Sequence, residues 1–392
     1  MSKIDKLIKQ FCPDGVEFKK LGEILTYEQP GKYIVKSTSY DDGYTTPVLT
    51  AGQSFILGYT DEVDGIFNAT SENPVIIFDD FTTSFHWVDF DFKVKSSAMK
   101  MIRPKDAMST DFRFVYFAMR CIKYKPSDHA RHWISKYSEF KIPIPPIEVQ
   151  REIVNILDKF TQLEAELSAE LSARKKQYEY YRDKLVGGVG GASRQTTLGE
   201  IMTIVRGASP RPIQNFITNN KDGVSWIKIG DVKTGAKYIT ETAQRITAIG
   251  SKKSRHVKKG DFILSNSMSF GRPYILGIDG CIHDGWIAMS SFNDNVTHDY
   301  LYHLLNSDRV QKYWKQKANN GGAVQNLNSD IVRATPISLP TIEEQKRIAI
   351  LLDHFDKLTS NISEGLPAEI AARGKQYEYY RKKLLTFQEL SV

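Results

Sequence analysis

Two short polar segments carry side chains able to form paired hydrogen bonds. One is Asp79-Asp80-Phe81-Thr82-Thr83-Ser84-Phe85-His86; the other is Ser265-Asn266-Ser267-Met268-Ser269-Phe270-Gly271-Arg272. Each follows a short apolar run and contains Ser-Phe. Donor–acceptor side chains on loops can read the edges of nucleic-acid bases, and Lys or Arg suits phosphates. Further candidates are Arg131, His132 and Lys136, with His129, ahead of one predicted helix, and Gln325 and Asn326, with Asn328, ahead of another. Asn and Gln can pair with adenine in two-point fashion, and Arg with guanine. Arg206, Ser209 and Arg211 lie in a Gly/Pro-rich loop, Lys228 lies in Trp226-Ile227-Lys228-Ile229-Gly230-Asp231-Val232, and Lys253 and Arg255 belong to a basic run with Lys252, Lys258 and Lys259. The same residue types also make ordinary turns and solvated surface, so that reading stays open for each of them.

Catalytic chemistry finds less support. A methyltransferase needs Asn/Asp-Pro-Pro-Tyr/Phe, but Asn73-Pro74-Val75-Ile76 lacks the second proline and the aromatic, and Pro145-Pro146 follows Ile144. No GxGxxG loop follows a strand. A nuclease could be built from Asp79 or Asp80 with Asp91-Phe92-Lys93, since paired acids with a lysine can hold a metal; the alternation Phe90, Phe92, Val94 reads more simply as a strand. His354 beside Asp353 and Asp356 fits a polar helix face. Cys12, Cys121 and Cys281 are far apart with no CxxC pair, which argues against a disulfide frame or a zinc site. A fused catalytic domain would need about 200 further residues. The expectation is a chain without catalysis, metal or cofactor of its own.

The 392 residues allow two or three domains, and 41% hydrophobic with 25% charged residues is ordinary for a globular protein. No run reaches the roughly 18 apolar residues of a membrane helix. The start, Met1-Ser2-Lys3-Ile4-Asp5-Lys6, has no apolar signal core, so a cytoplasmic location is expected. The formal net charge of +7 is unevenly spread: residues 20–92 carry 3 Lys/Arg against 12 Asp/Glu, residues 93–141 carry 12 against 4, and residues 197–340 carry 18 against 11. Two basic regions well apart in sequence suit two phosphate-facing surfaces.

An internal duplication organises the chain. Arg174-Lys175-Lys176-Gln177-Tyr178-Glu179-Tyr180-Tyr181-Arg182 returns as Arg373-Gly374-Lys375-Gln376-Tyr377-Glu378-Tyr379-Tyr380-Arg381, at an offset of 199. Pro145-Pro146-Ile147-Glu148-Val149-Gln150 returns as Pro340-Thr341-Ile342-Glu343-Glu344-Gln345, at 195. The second copy thus has four extra residues, near Glu364-Gly365-Leu366-Pro367, about one helical turn. Fainter echoes are Leu21-Gly22-Glu23-Ile24 with Leu198-Gly199-Glu200-Ile201, and Val48-Leu49 with Trp226-Ile227. Each unit is a variable globular part followed by a near-constant helical part.

The constant parts show apolar residues at 3–4 spacing: Ile153, Ile156, Leu157, Phe160, Leu163, Leu167, Leu171, Tyr178, Tyr181 and Leu185, and then Ile348, Leu351, Leu352, Phe355, Leu358, Ile362, Ile370, Tyr377, Tyr380 and Leu384. These are amphipathic stripes of coiled-coil type, each long enough to span roughly 58 Å. The glycines at 187–191 end the first, and Gly365 with Pro367 is expected to kink or interrupt the second. The variable parts predict short strands such as Pro74–Phe78, Trp87–Val94, Asp261–Leu264 and Pro273–Leu276, with helical stretches around 111–123 and 298–317. The expected fold class is α+β: two mixed α/β globular domains separated by an antiparallel coiled coil of two long helices, a pseudo-two-fold internal repeat with one globular domain at each end.

This layout, with Pro-Pro-Ile-Glu-x-Gln opening a helix and Gln-Tyr-Glu-Tyr-Tyr-Arg closing both, resembles Type I restriction–modification specificity (S) subunits. The resemblance covers essentially the whole chain; Cys12-Pro13-Asp14-Gly15-Val16-Glu17-Phe18-Lys19-Lys20-Leu21-Gly22-Glu23-Ile24 looks like the entry to a first target-recognition domain. It implies a lead-in over 1–19 packing near the end of the second helix, target-recognition domain 1 over 20–146, and spacer helix 1 over 147–186. A linker over 187–196, target-recognition domain 2 over 197–340, spacer helix 2 over 341–385 and a tail over 386–392 complete the division. It also implies double-stranded DNA as a partner, read as a two-part site, and two modification subunits that use S-adenosylmethionine to methylate adenine N6, with restriction subunits as further partners. Tyr178, Tyr180, Tyr181, Arg182, Tyr377, Tyr379, Tyr380 and Arg381 are the candidate partner-binding residues. At 100° per residue Tyr180 and Tyr379 face away from the stripe, and packing against the protein's own globular domains is the competing role.

Overall fold

The structure is a computed structural model that describes residues 2–50, 52, 54–106, 110–126, 130–187, 193–232, 235–266, 270–318, 326–360 and 365–390. It divides into two units, Met1–Ala165 with Arg373–Val392, and Glu166–Ala372. No helix among the described residues is long and apolar enough to cross a membrane.

The first unit contains a four-stranded antiparallel sheet in the order Leu25–Glu28, Met99–Pro104, Val75–Asp79, Phe85–Val88. A three-stranded sheet runs Ile56–Thr60, Thr46–Leu49, Lys93–Val94, its last pair parallel. The alternation over 87–94 therefore belongs to two strands in different sheets, separated by a turn in which Asp91 accepts from the Ala69 amide and the Asn68 side chain. Strand Glu17–Lys20 pairs with Lys141–Ile144 and brings the chain back to the start of the long helix.

The second unit repeats these devices. Arg194–Thr197 pairs with Pro336–Leu339 just as Glu17–Lys20 pairs with Lys141–Ile144. The parallel pair of Val48 with Lys93 is matched by that of Trp226 with Cys281, so the faint echo at these positions marks the same sheet position. Two five-stranded sheets hold most of the strands. The closing helical stretch is two helices, His298–Leu305 and Asp308–Ala318, where the first unit has Phe112–Met119.

The first long helix is continuous over Ile147–Val186. Pro146 starts it: its carbonyl accepts from the amides of Val149 and Gln150, and proline is pre-organised for a first turn. In the first unit Val149, Ile153 and Leu157 are fully buried in one core with Phe114, Phe117, Leu384 and Leu385. Truncating one of these to Ala costs about 2–5 kcal/mol. Further along, Phe160 stacks on Tyr380, centroids 5.5 Å and planes 23° apart. In the second unit Tyr181 stacks on Phe355 at 6.1 Å and 22°. Phe160 and Phe355 are repeat equivalents, as are Tyr380 and Tyr181, so each unit holds one copy of the same antiparallel helix contact.

The second stripe is two helices, Ile342–Ser360 and Gly365–Leu384; residues 361–364 lie outside the described residues. Gly365 has φ +76°, and a Cβ there would stand 2.7 Å from the Leu358 carbonyl oxygen, so only glycine suits the position. Pro367 sits in the first turn of the new helix, where its missing N–H costs nothing.

Candidate nucleic-acid interface

In the second unit four of the residues singled out from sequence converge on Asp284. Ser209 Oγ donates to one carboxylate oxygen (2.6 Å) and Arg211 Nη2 to the other (3.1 Å). Arg206 Nε (3.1 Å) and Asn266 Nδ2 (3.0 Å) both donate to its backbone carbonyl. Arg255 Nε donates in turn to the Arg206 carbonyl at 3.3 Å. The Ser209 hydroxyl, more than the opposing burial, holds the Asp284 carboxyl below the usual carboxylate range, with Arg211 adding to it. The carboxylate thereby holds the Arg211 guanidinium, and the Asp284 carbonyl that of Arg206, while the Arg211 side chain stays 81% exposed. A held fork loses less entropy when it meets a ligand.

Ser209, Arg211 and Lys228 also line a cavity of about 380 Å³ with Trp226, His283 and Asp284. Burial pushes the His283 imidazole down in pKa. Lys253 is exposed, its ammonium 5.0 Å above the Phe216 ring, and Arg272 lies over Tyr274 at 5.6 Å. Asn326 is exposed, and the amide of Leu327 donates to the Asn266 carbonyl, which ties this segment to the hairpin. Asn266 itself is buried, so its side chain supports the loop and does not face solvent, contrary to the sequence expectation. Ser267, Ser269 and Gln325, with Met268 and His129, lie outside the described residues.

In the first unit the loop between Val75–Asp79 and Phe85–Val88 is held from behind. One Asp79 carboxylate oxygen accepts from the amides of Phe81 (2.9 Å) and Thr82 (2.8 Å), and Thr83 takes a positive φ of 57°. The Asp80 carboxylate pairs with Lys100 at 2.9 Å, both side chains about 1% exposed. It also accepts from the Trp133 amide (3.0 Å), while its carbonyl accepts from the His132 amide (2.9 Å). The loop is thus tied to the helix His132–Ser135, flanked by exposed Arg131 and Lys136.

Two expectations are corrected here. Thr83 and His132 are buried, and His132 Nδ1 meets the Tyr124 hydroxyl at 3.0 Å, so both shape the loop and neither faces solvent. Thr82 is exposed, and Ser84 and His86 are half-buried, His86 stacking on Phe55 at 4.6 Å. The residues of the nuclease reading do not converge: Asp80 serves Lys100, Asp91 serves a turn, and Lys93 pairs with Glu62 at 3.1 Å.

The repeated Gln-Tyr-Glu-Tyr-Tyr-Arg segments divide by face. Tyr178 is buried, and its hydroxyl meets His303 Nδ1 at 3.0 Å; His303 Nε2 meets Asp353 at 2.9 Å, and Lys237 bridges Asp353 (2.8 Å) and Asp299 (2.9 Å). Tyr178, placed on the stripe and among the candidates for partner binding, is therefore an anchor to its own globular part, the competing role. Tyr181, Tyr377 and Tyr380 pack on the phenylalanines of the facing helix segments. Tyr180 and Tyr379 are 61% and 62% exposed. Arg182 and Arg381 lie over the rings of Tyr178 (5.5 Å) and Tyr377 (5.1 Å). Sequence reading missed Asp284 and Lys100, and named Asp80 only as a loop residue or a nuclease acid, not as a buried brace; His283-Asp284-Gly285 carries only a turn signal.

Comparison with known proteins agrees with this architecture. The family model described as Type I restriction modification DNA specificity domain matches residues 13–173 and 194–372. The Type I restriction enzyme EcoR124I/EcoR124II specificity subunit of Escherichia coli is 43% identical, over 99% of this chain and 97% of its own length. A chain of Haemophilus influenzae described as a type I restriction enzyme specificity subunit is 31% identical over 95% of this chain and 96% of its own. Among solved structures, a chain from work on complex assembly and conformational transition of the type I R-M system has a TM-score of 0.61 at 18% identity, covering 95% of this chain and 98% of that one. The Type-I restriction-modification S subunit from M. genitalium has a TM-score of 0.55 at 15% identity, covering 95% and 96%. These two share the fold. With the same module matched twice and a full-length relative well above 30% identity, the chain belongs to the Type I restriction–modification DNA specificity subunit family.

Proposed function

We propose that each unit reads one half of a bipartite DNA site, that the long helices set the spacing between the halves, and that their exposed faces dock two methyltransferase subunits. The observation that carries this reading is the pair of equivalent stacks, Phe160 on Tyr380 and Phe355 on Tyr181. One helix contact is kept twice, while the globular surfaces beside it differ: a loop braced by Asp80–Lys100 in one unit and guanidinium groups gathered by Asp284 in the other. Unlike readers on a like strut suit a target with two unlike halves. A spacer of fixed length lets two readers meet half-sites on one face of a duplex that turns every 10–10.5 base pairs or so. The chain itself performs no catalysis and holds no cofactor. S-adenosylmethionine binds in the partner subunits, restriction subunits join that complex, and the protein acts in the cytoplasm.

Mapping methylated adenines in cells with and without this chain tests the reading, together with recovery of bound proteins on the tagged chain. Loss of one bipartite methylated motif and recovery of a methyltransferase in two copies are expected. An unchanged methylation pattern, or DNA binding with no methyltransferase recovered, overturns it.

A further inference from the structure

Cavities of similar size lie at corresponding places in the two units. In the first, about 440 Å³ is lined by Ser84 and His86 of the hairpin, by Arg120, and by Glu378 and Arg381 of the repeat segment. In the second, about 350 Å³ is lined by Phe270 and Arg272 of the hairpin, by Asn306, and by Tyr178 and Arg182 of the repeat segment, with Asp356 beside them. Arg381 and Arg182 occupy the same repeat position, and Arg120 and Asn306 each cap the C-terminus of the corresponding helix. Two globular parts of different sequence each leave an open cleft against the same repeat segment.

The charge points to an anion. Two arginines and one acid line each cavity, Arg120 and Arg381 with Glu378, and Arg182 and Arg272 with Asp356; behind the lining, Asp183 pairs with Arg182 and Glu164 acts on Arg120. Stacking on Tyr377 and Tyr178 fixes the repeat arginines in place. Arg381 Nε is buried with no hydrogen-bond partner among the described residues, while the guanidinium meets the Cys121 thiol and lines the cavity; an oxyanion bound there gains a charge-assisted contact. In the second unit Arg182 Nε already donates to Asp183 at 3.0 Å, and Arg272 supplies the second guanidinium.

We propose that each cavity receives one phosphodiester group of the bound duplex, gripped by Arg381 in the first unit and Arg182 in the second. This rests on the DNA-reading function above. A phosphate carries no sequence information, which suits an arginine that stays constant while the hairpin forming the other wall varies. The arginine then acts as a positioning residue, setting the distance between backbone and hairpin in the same way for both half-sites.

The test uses the chain assembled with its methyltransferase subunits and duplexes bearing the methylated motif found in cells, each with one phosphate replaced by a neutral methylphosphonate. One position per half-site is expected to weaken binding by about tenfold, and each of Arg381→Met and Arg182→Met to abolish the interference in its own half-site only, lowering the salt slope by about 1. The interference scan on the unaltered chain needs no variant, and thermal melting shows whether each variant folds. A scan without such a position overturns the proposal. So does interference that persists in both folded variants, or variants that shed the methyltransferase subunits while keeping every DNA contact. A complex that does not bind the motif at all refutes the DNA-reading function instead.

Discussion

The side-chain oxygen of Gln150 accepts a hydrogen bond from the backbone N–H of Asp111 at 2.9 Å, while its amide nitrogen donates to the Pro145 carbonyl at 2.7 Å. Asp111 is the N-cap of the helix Phe112–Met119. Gln345 repeats the device: its oxygen accepts from the amide of Thr297, the N-cap of His298–Leu305, at 2.8 Å, and its nitrogen donates to the carbonyls of Pro340 (3.0 Å) and Asn295 (2.8 Å). Both glutamines are fully buried. The start of each constant helix is therefore clamped to the globular part beside it by one side chain that satisfies backbone groups on both.

Replacing Gln150 by leucine removes the partner of one amide N–H and one carbonyl, and replacing Gln345 removes that of one amide N–H and two carbonyls. Gln150→Leu is expected to destabilise the first unit, and Gln345→Leu the second, by about 1–3 kcal/mol for each group orphaned. Urea denaturation followed by far-UV circular dichroism measures this, and midpoints equal to the parent's would show that the clamp is dispensable.

Lys100→Met strands the Asp80 carboxylate in the core. Breaking a buried pair by removing one partner costs about 3–5 kcal/mol, whereas replacing both partners by uncharged groups costs far less. The double variant Asp80→Asn/Lys100→Met is therefore expected to be more stable than Lys100→Met alone. In methylation mapping both changes are expected to relax only the half-site read by the first unit, since the loop they hold belongs to that unit. Equal stability of single and double variants would contradict the pairing.

Asp284→Ala separates organisation from bulk charge. Removing a carboxylate makes the surface more positive, and long-range electrostatics alone would tighten DNA binding. The geometry gives the opposite sign: the carboxylate bonds to Ser209 and Arg211 are lost, and the carbonyl of a loosened loop no longer holds Arg206 and Asn266 in place. Weaker binding by about tenfold, one lost charge-assisted contact's worth, is expected at the second half-site with the first unchanged. Fluorescence anisotropy with duplexes altered in one half-site reads the difference.

Periodic features were legible in the sequence. The 3–4 spacing from Ile153 to Leu185 marks a helix that is present, and the 200° separation of Tyr180 from Tyr178 corresponds to one exposed and one buried ring. Gln150 and Gln345 were visible only as repeated letters, because the amides they hold lie 39 and 48 residues away. His132 looked like a surface donor for the same reason: the Asp80 carbonyl that buries its helix is 52 positions upstream. Local alternation misled where a turn cut it, at Asp91, since a two-residue period does not say where one sheet stops and another begins. Asp284 gave no signal beyond Asp-Gly, for its value lies in four donors brought together from distant strands and loops.

The His303–Asp353–Lys237 cluster makes the fold sensitive to acid. Burial pushes the Asp353 carboxyl up, but hydrogen bonds from His303 and Lys237 outweigh it and hold the folded-state pKa below the ordinary value of 3.8. A carboxyl whose pKa is depressed on folding stabilises the protein above its unfolded pKa and loses that stabilisation as pH falls through the folded one. The melting temperature is thus expected to drop as pH falls from about 5 to about 3, and Asp353→Asn to flatten that slope while starting lower. Calorimetry across this range measures it; a variant with the parent's slope would place the acid sensitivity elsewhere.

Tyr180 and Tyr379 are large, exposed and turned away from the contacts that hold each helix in its unit. Their hydroxyls and rings contribute little to folding there, so Tyr180→Ala and Tyr379→Ala are expected to shift stability by no more than about 0.5 kcal/mol. Buried aromatic anchors at protein interfaces lose about 2 kcal/mol or more of binding when truncated. Each single variant is therefore expected to weaken capture of one methyltransferase subunit by more than tenfold, and the double variant to release both. Sedimentation of the purified complex distinguishes the three compositions. Full assembly of the double variant would remove these tyrosines from the interface and move the docking surface to another face of the helices.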